Sequence, residues 1–125
     1  MNVFLWIVAG VLAAFFLAAG ATKLSQSRRK LLANDNMKWV EDFSAGTIKL
    51  IGTAEVLGAI GLILPGALDI APVLVPLAAT GLAVIMAGAI ITHGRRKETP
   101  PIFINAVVLV LAVLVAIFRF GPDSF

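Results

Sequence analysis

Residues 46–65, GTIKLIGTAEVLGAIGLILP, decide the fold. The stretch is long and apolar enough to cross a membrane as a helix, which needs about 20 residues, yet it carries Glu55 near its middle. At a rise of about 1.5 Å per residue, Glu55 lies about 13 Å from the start of this helix, close to the centre of a bilayer. Exposing a carboxylate to the hydrocarbon of the bilayer costs several kcal/mol of free energy, on the order of 3 or more. The sequence therefore predicts a bundle of helices into which Glu55 points.

Small residues surround Glu55 on the same helix. Gly52, Gly58 and Ala59 lie within three or four positions of it, and small side chains let a neighbouring backbone approach closely. The first and third apolar stretches carry further small residues that are expected to pack helices together: Gly10, Ala14, Ala18, Gly81 and Gly88.

The composition places the whole chain in a membrane. Of its 125 residues, 60% are hydrophobic and 14% are charged, whereas soluble domains average roughly 45–50% and about 25%. The length indicates a single domain over residues 1–125. We predict an all-α membrane protein, a bundle of four transmembrane helices that span approximately residues 2–24, 46–64, 72–92 and 102–118. The first stretch is expected to be a spanning helix and not a cleaved signal peptide, because no basic residue precedes it.

The connection between the first two spans has its own pattern. Its apolar residues fall near helical spacing, with charged residues opposite, which predicts a short amphipathic helix at the level of the lipid headgroups with Trp39 as an anchor. A cytosolic extension of the second span is the alternative. The apolar positions are Leu32, Trp39, Val40 and Phe43, and the charged ones are Asp35, Lys38, Glu41 and Asp42.

The charges predict topology and exclude several classes of site. The net charge is +3, and the basic residues are concentrated in the connections after the first and third spans. Positive loops stay in the cytoplasm, so both termini are predicted on the other side of a plasma or inner membrane. Nucleic-acid binding would need a basic face on a folded domain, and the sequence shows none. The sequence has no cysteine and one histidine, which excludes thiolate chemistry and argues against a metal site within one subunit.

Each span contributes one polar residue to the same half of the predicted bundle. Lys23 ends the first span, His93 ends the third, Asn105 lies one turn into the fourth, and Glu55 is deepest. Together they are candidates for ligand binding or proton relay. Each also has a structural interpretation: Lys23 as a snorkelling flank, His93 as a helix cap, Asn105 as a bridge between helices, and Glu55 as the buried partner of Lys23.

A series of short motifs runs in order along the chain: GATK at 20–23, GTAEVLGAIGLILP at 52–65, PLAA at 76–79, GL at 81–82, MAGA at 86–89, His93 with Arg95 and Arg96, and Asn105 with Arg119. In this series the chain resembles the DoxX-like family of small four-helix membrane proteins. The resemblance implies a left-handed four-helix membrane bundle. It also implies a link to redox systems, since the family name comes from relatives that are linked to a thiosulfate:quinone oxidoreductase. Other members are similar to partners of redox or stress-response proteins, and distant ones to chaperones of membrane receptors. No catalytic residue follows from it.

Three functional hypotheses remain. The first is an accessory subunit or quinone-binding partner of a membrane redox system, in which Lys23, His93 or Asn105 donates hydrogen bonds to a quinone or lipid headgroup and Glu55 exchanges protons. The second is a non-enzymatic scaffold or assembly factor that packs against another membrane protein or a second copy of the chain. The third, a transporter or channel subunit, would need oligomerisation. The absence of a soluble domain argues against independent catalysis.

Overall fold

A computed structural model describes residues 2–122 and 124–125, and at positions 35 and 36 it describes the backbone alone. Four long helices and two short ones account for most of these residues, and no strand occurs among them. The four long helices are apolar enough to cross a membrane, which confirms the predicted all-α, four-span architecture. The elements are α1 (Asn2–Ser25), α2 (Arg28–Leu32), a 3₁₀ helix (Asp35–Asp42), α3 (Ala45–Leu68), α4 (Leu74–Arg95) and α5 (Thr99–Phe120).

The long helices pack as two pairs. α1 lies against α3, α4 lies against α5, and α3 joins the pairs by contacting α4, whereas α1 and α5 touch less. In the most apolar part of each long helix no more than 33% of the residues are buried inside the protein, so lipid must cover the outer apolar faces. One apolar core fills the bundle, with its largest fully buried side chains at Leu5, Leu12, Phe16, Leu62, Leu82, Val75 and Val115.

Prolines lie near two helix boundaries. α3 does not end at residue 64, where the predicted span ends, but continues through Pro65 to Leu68, although Pro65 has no N–H to donate to the Gly61 carbonyl. Asp69 ends α3 instead: it adopts a left-handed conformation with φ 54°, and its N–H bonds to the Pro65 carbonyl. At the start of α5, Pro100 and Pro101 follow Thr99 in the first turn, where a missing N–H costs least.

The connection between α1 and α3 contains two short helices, α2 and the 3₁₀ helix, in place of one amphipathic helix. It is not an extension of α3, because Ser44 caps that helix by accepting a hydrogen bond from the Thr47 N–H at 3.1 Å. Leu31, Val40 and Ile48 are buried together in a small second core. The connection is therefore packed onto one end of the bundle. We call this the basic end, since the α1–α3 and α4–α5 connections both lie there.

Glycines bring α1 and α3 into backbone contact. A Cβ atom added at Gly20 would lie 2.7 Å from the Gly52 carbonyl oxygen, and one added at Gly52 would lie 2.9 Å from the Cβ of Lys23. Elsewhere, a Cβ at Gly58 would meet Leu82 at 2.7 Å, and Ala59 is buried in the core. Gly52, Gly58 and Ala59 are thus placed at helix contacts within the chain.

The remaining small residues singled out from the sequence lie on the outer surface. A Cβ at Gly10, Gly81 or Gly88 would meet nothing within 4 Å, and Ala14 and Ala18 are exposed. These five residues make no close helix contact in the part of the chain that is described. Their role in packing against another chain stays a prediction.

Candidate functional site

A buried ion pair joins α1 to α3 next to the glycine contact. The Lys23 Nζ lies 2.8 Å from the Glu55 Oε1, and the two side chains are only 8% and 2% exposed. Apart from Lys23, no donor within residues 2–122 and 124–125 bonds to Oε1. Glu55 is therefore charge-balanced by Lys23 and keeps capacity to accept a further hydrogen bond.

Lys49 fixes the end of α1 that carries Lys23. Its Nζ donates to the carbonyl oxygens of Lys23, Leu24 and Gln26 at 2.7, 2.9 and 2.8 Å. A cation at a helix C-terminus satisfies the last carbonyls and interacts favourably with the helix dipole. The side chain of Lys49 therefore caps α1. Its position about one turn inside the predicted second span indicates only that it can reach outward to water.

His93 on α4 is held in one orientation by Glu98. The His93 Nδ1 lies 2.8 Å from the Glu98 Oε1. A carboxylate partner selects the tautomer with the proton on Nδ1, which leaves Nε2 of the neutral ring as an acceptor. Desolvation tends to raise the pKa of Glu98, but the hydrogen bond from His93 and the contact with Arg96 outweigh it and hold the pKa below its ordinary value of 4.5.

Arg96 ties the two connections of the basic end together. Its Nη1 lies 2.6 Å from the Glu41 Oε1 and 3.3 Å from the Asp42 Oδ1, and its Nε lies 3.4 Å from the Glu98 Oε1. Exposed ion pairs of this kind each contribute little stability. Their geometric effect is larger, because one guanidinium fixes the 3₁₀ helix relative to the carboxylate that orients His93.

A cavity of about 400 Å³ lies between the helices at this end, and we call it the polar cavity. All four site residues predicted from the sequence line it: Lys23, Glu55, His93 and Asn105. Asn105 is buried, with 8% of its surface exposed, and its side chain makes no hydrogen bond with the described residues. The walls are otherwise mostly apolar, and include Phe15, Met37, Trp39, Phe43, Ile51, Ile85 and Met86. The structure thus gathers the four residues, and their role in binding stays a prediction.

Trp39 has a position that the sequence did not reveal. Its ring centroid is 5.5 Å from the Lys23 Nζ and 6.0 Å from the His93 ring, and it packs edge-on against Phe43 at 5.7 Å. It lines the polar cavity, whereas the sequence suggested an anchor among lipid headgroups. The helical spacing of Trp39 and Phe43 signals an apolar face, but spacing alone cannot distinguish a face on lipid from one on protein.

The opposite end of the bundle holds a second buried cation that sequence reasoning missed. The Arg119 Nη1 donates to the Asn2 Oδ1 at 2.8 Å, and the guanidinium carbon lies 3.9 Å from the Phe125 ring centroid and 5.8 Å from that of Trp6. A Cβ at Gly66 would lie 2.6 Å from the Phe125 ring. The buried polar residues of the bundle are therefore not confined to the half that the sequence predicts. The partners stand 117 residues apart in the sequence, so spacing gave no signal.

No group of three or more His, Cys, Asp or Glu side chains suited to a metal ion occurs in the described part of the chain. In comparisons with known proteins, a family model described as the DoxX-like family matches residues 7–115. No curated protein and no solved structure matches significantly.

Proposed function

The chain belongs to the DoxX-like family, and from that membership we propose that it is an accessory protein of a membrane redox system that binds a quinone or a similar lipid headgroup in the polar cavity. The observation that carries the proposal is the convergence of Lys23, Glu55, His93 and Asn105 on one cavity with apolar walls. A volume of about 400 Å³ falls within the range of roughly 300–1,000 Å³ typical of small-molecule sites.

The polar groups suit a ring that carries carbonyl or hydroxyl oxygens. The Asn105 amide has no partner among the described side chains, so it can donate to a carbonyl oxygen or accept from a hydroxyl. The Nε2 of His93 can accept a proton while Glu98 stabilises the resulting imidazolium. The carboxylate of Glu55 can accept a hydrogen bond from a reduced, hydroxylated ring. Trp39 and Phe43 offer flat apolar surfaces to the ring itself.

The orientation of the protein is part of the proposal. The basic residues of the α1–α3 and α4–α5 connections would place the polar cavity in the cytoplasmic half of a plasma or inner membrane, with both termini outside. In this function the electrons come from a partner protein. The chain would then hold the ring and exchange protons with it, without turnover of its own.

Tryptophan fluorescence gives a direct test. The sequence contains two tryptophans, Trp6 and Trp39, at opposite ends of the bundle. In a Trp6→Phe background, Trp39 reports on the polar cavity, and a benzoquinone with a ten-carbon tail should quench it saturably in nanodiscs. In the matched Trp39→Phe background, Trp6 should show only linear, collisional quenching. Asn105→Leu should weaken the saturable binding at least tenfold. Equal quenching of both tryptophans would refute the proposed site.

A scaffold function is the second candidate, and the exposed residues of α1 favour it. Gly10, Ala14 and Ala18 lie at intervals of four on one outer face, open to a neighbouring helix. If the chain is mainly a scaffold, Gly10→Leu with Ala14→Leu should abolish co-purification of a partner membrane protein. Asn105→Leu, inside the bundle, should then leave co-purification intact. The opposite pattern would favour the binding function.

A further inference from the structure

We propose that the polar cavity opens sideways into the bilayer at Gly88, and that the single aliphatic tail of a neutral lipid-like ligand leaves the protein through this window. The inference rests on the proposed function, because it assumes that the headgroup of the ligand lies in the polar cavity. It adds where the tail lies and how many tails the site admits.

Gly88 belongs to the lipid-facing side of α4. The exposed residues Gly81, Val84, Gly88 and Ile91 repeat every three or four positions, which is one face of a helix. Gly88 nevertheless lines the polar cavity. Because the same residue belongs to the outer face and to the cavity wall, the cavity reaches the outer surface of the protein at this position.

The absence of a side chain creates the opening. A Cβ atom at Gly88 would meet nothing within 4 Å, and the next cavity-lining residues on α4, Ala89 and Thr92, are small. The Thr92 hydroxyl donates to the Gly88 carbonyl at 3.0 Å, so it is turned onto its own helix. Because the window is bordered by a residue without a side chain and by two small ones, we infer that it admits one aliphatic chain, which favours a ligand with a single tail over a two-chain phospholipid.

The depth of the window fits lipid and not water. Gly88 lies seven residues before Arg95, the last residue of α4, which is about 10 Å along the helix. Half of a hydrocarbon core is about 15 Å thick, so the window opens among acyl chains. Toward the basic end, Trp39 and Phe43 line the cavity, and the contacts of Arg96 with Glu41 and Asp42 fix the 3₁₀ helix that carries Trp39. A ligand dissolved in the bilayer would enter at Gly88, at the depth of the acyl chains.

A matched pair of glycines on α4 allows a sharp test. Gly81 and Gly88 lie on the same exposed face, and a Cβ is accommodated at both, but only Gly88 is part of the cavity wall. In the Trp6→Phe protein in nanodiscs, the binding of two probes is measured by quenching of Trp39: a benzoquinone with a ten-carbon tail, and the same ring without a tail. Gly88→Leu should weaken the tailed probe at least tenfold and leave the tailless ring within twofold. Gly81→Leu should change neither.

The other outcomes separate this inference from the proposed function. If Gly88→Leu weakens both probes equally, Gly88 borders the headgroup and the window is refuted while the binding function stands. If it changes neither, the tail does not pass Gly88, and the inference fails in the same way. If neither probe binds saturably to the unsubstituted protein, the proposed function fails and the inference fails with it. Gly88→Ala, which adds one methyl group, should give a smaller effect of the same sign and guards against a folding defect.

Discussion

Replacing Gly20 by alanine should weaken the pairing of α1 with α3. A Cβ at Gly20 would lie 2.7 Å from both the Gly52 carbonyl oxygen and the Cγ2 of Val56, and 3.1 Å from the Val56 backbone nitrogen. Two of these three neighbours are backbone atoms of a long helix, which cannot move aside individually. The new methyl group must therefore push the two helices apart.

The size of the effect follows from these distances. Restoring ordinary contact at 3.4 Å from 2.7 Å requires a displacement of about 0.7 Å. Overpacking of this kind costs about 1–3 kcal/mol, and the greater helix propensity of alanine over glycine returns up to about 1 kcal/mol. The difference is an expected net loss of up to about 2 kcal/mol in the free energy of unfolding for Gly20→Ala.

Gly10→Ala is the matched control, because Gly10 lies on the same helix and a Cβ there would meet nothing within 4 Å. Unfolding by denaturing detergent in mixed micelles should show the control unchanged or more stable, and Gly20→Ala less stable. Gly52→Ala, whose Cβ would lie 2.9 Å from the Cβ of Lys23, should behave like Gly20→Ala. If Gly20→Ala proves as stable as Gly10→Ala, the two helices do not approach as closely as described.

Two further predictions concern charge. Lys23→Met should destabilise the protein by about 3–5 kcal/mol because it leaves a buried carboxylate unpaired. In the same unfolding assay, the double variant Lys23→Met with Glu55→Leu should recover most of this loss. Additive losses in the double variant would contradict the buried ion pair. The depressed pKa of Glu98 means that its ionised form is favoured by folding. The contribution of ionised Glu98 to the free energy of unfolding is therefore present above pH 4.5. It is lost as the pH falls through the lower pKa of the folded state. Thermal unfolding between pH 7 and pH 3 should therefore show a smaller loss of stability on acidification for Glu98→Gln than for the unsubstituted protein. Equal losses would exclude a stabilising role for the contacts of Glu98 with His93 and Arg96.

The fold was predictable because hydropathy decides it. Four apolar stretches of spanning length predict four transmembrane helices. The position of each polar residue along its helix then places Lys23, Glu55, His93 and Asn105 in one half of the bundle. The pairing of Lys23 with Glu55 was the structural interpretation of these residues, since a buried carboxylate needs a cation and Lys23 is at a suitable depth.

The faces of the helices were harder to predict, because lipid and protein interior are both apolar. The stripe of Gly10, Ala14 and Ala18 suggested the packed face of α1, yet Gly20, two positions beyond Ala18 and so rotated by about 200°, makes the actual backbone contact. For the same reason, the sequence did not show that Trp39 lines the polar cavity and not the lipid headgroups. Contacts between distant residues, such as Arg96 with Glu41, leave no periodic signal at all.

The single guanidinium at position 96 has a mechanical consequence. On one side it forms an ion pair with Glu41 of the 3₁₀ helix. On the other side it contacts the carboxylate of Glu98, which orients the imidazole of His93. These contacts connect the imidazole of His93, at the wall of the polar cavity, to acidic side chains that are exposed at the surface of the basic end. A displacement on one side is therefore transmitted mechanically to the other.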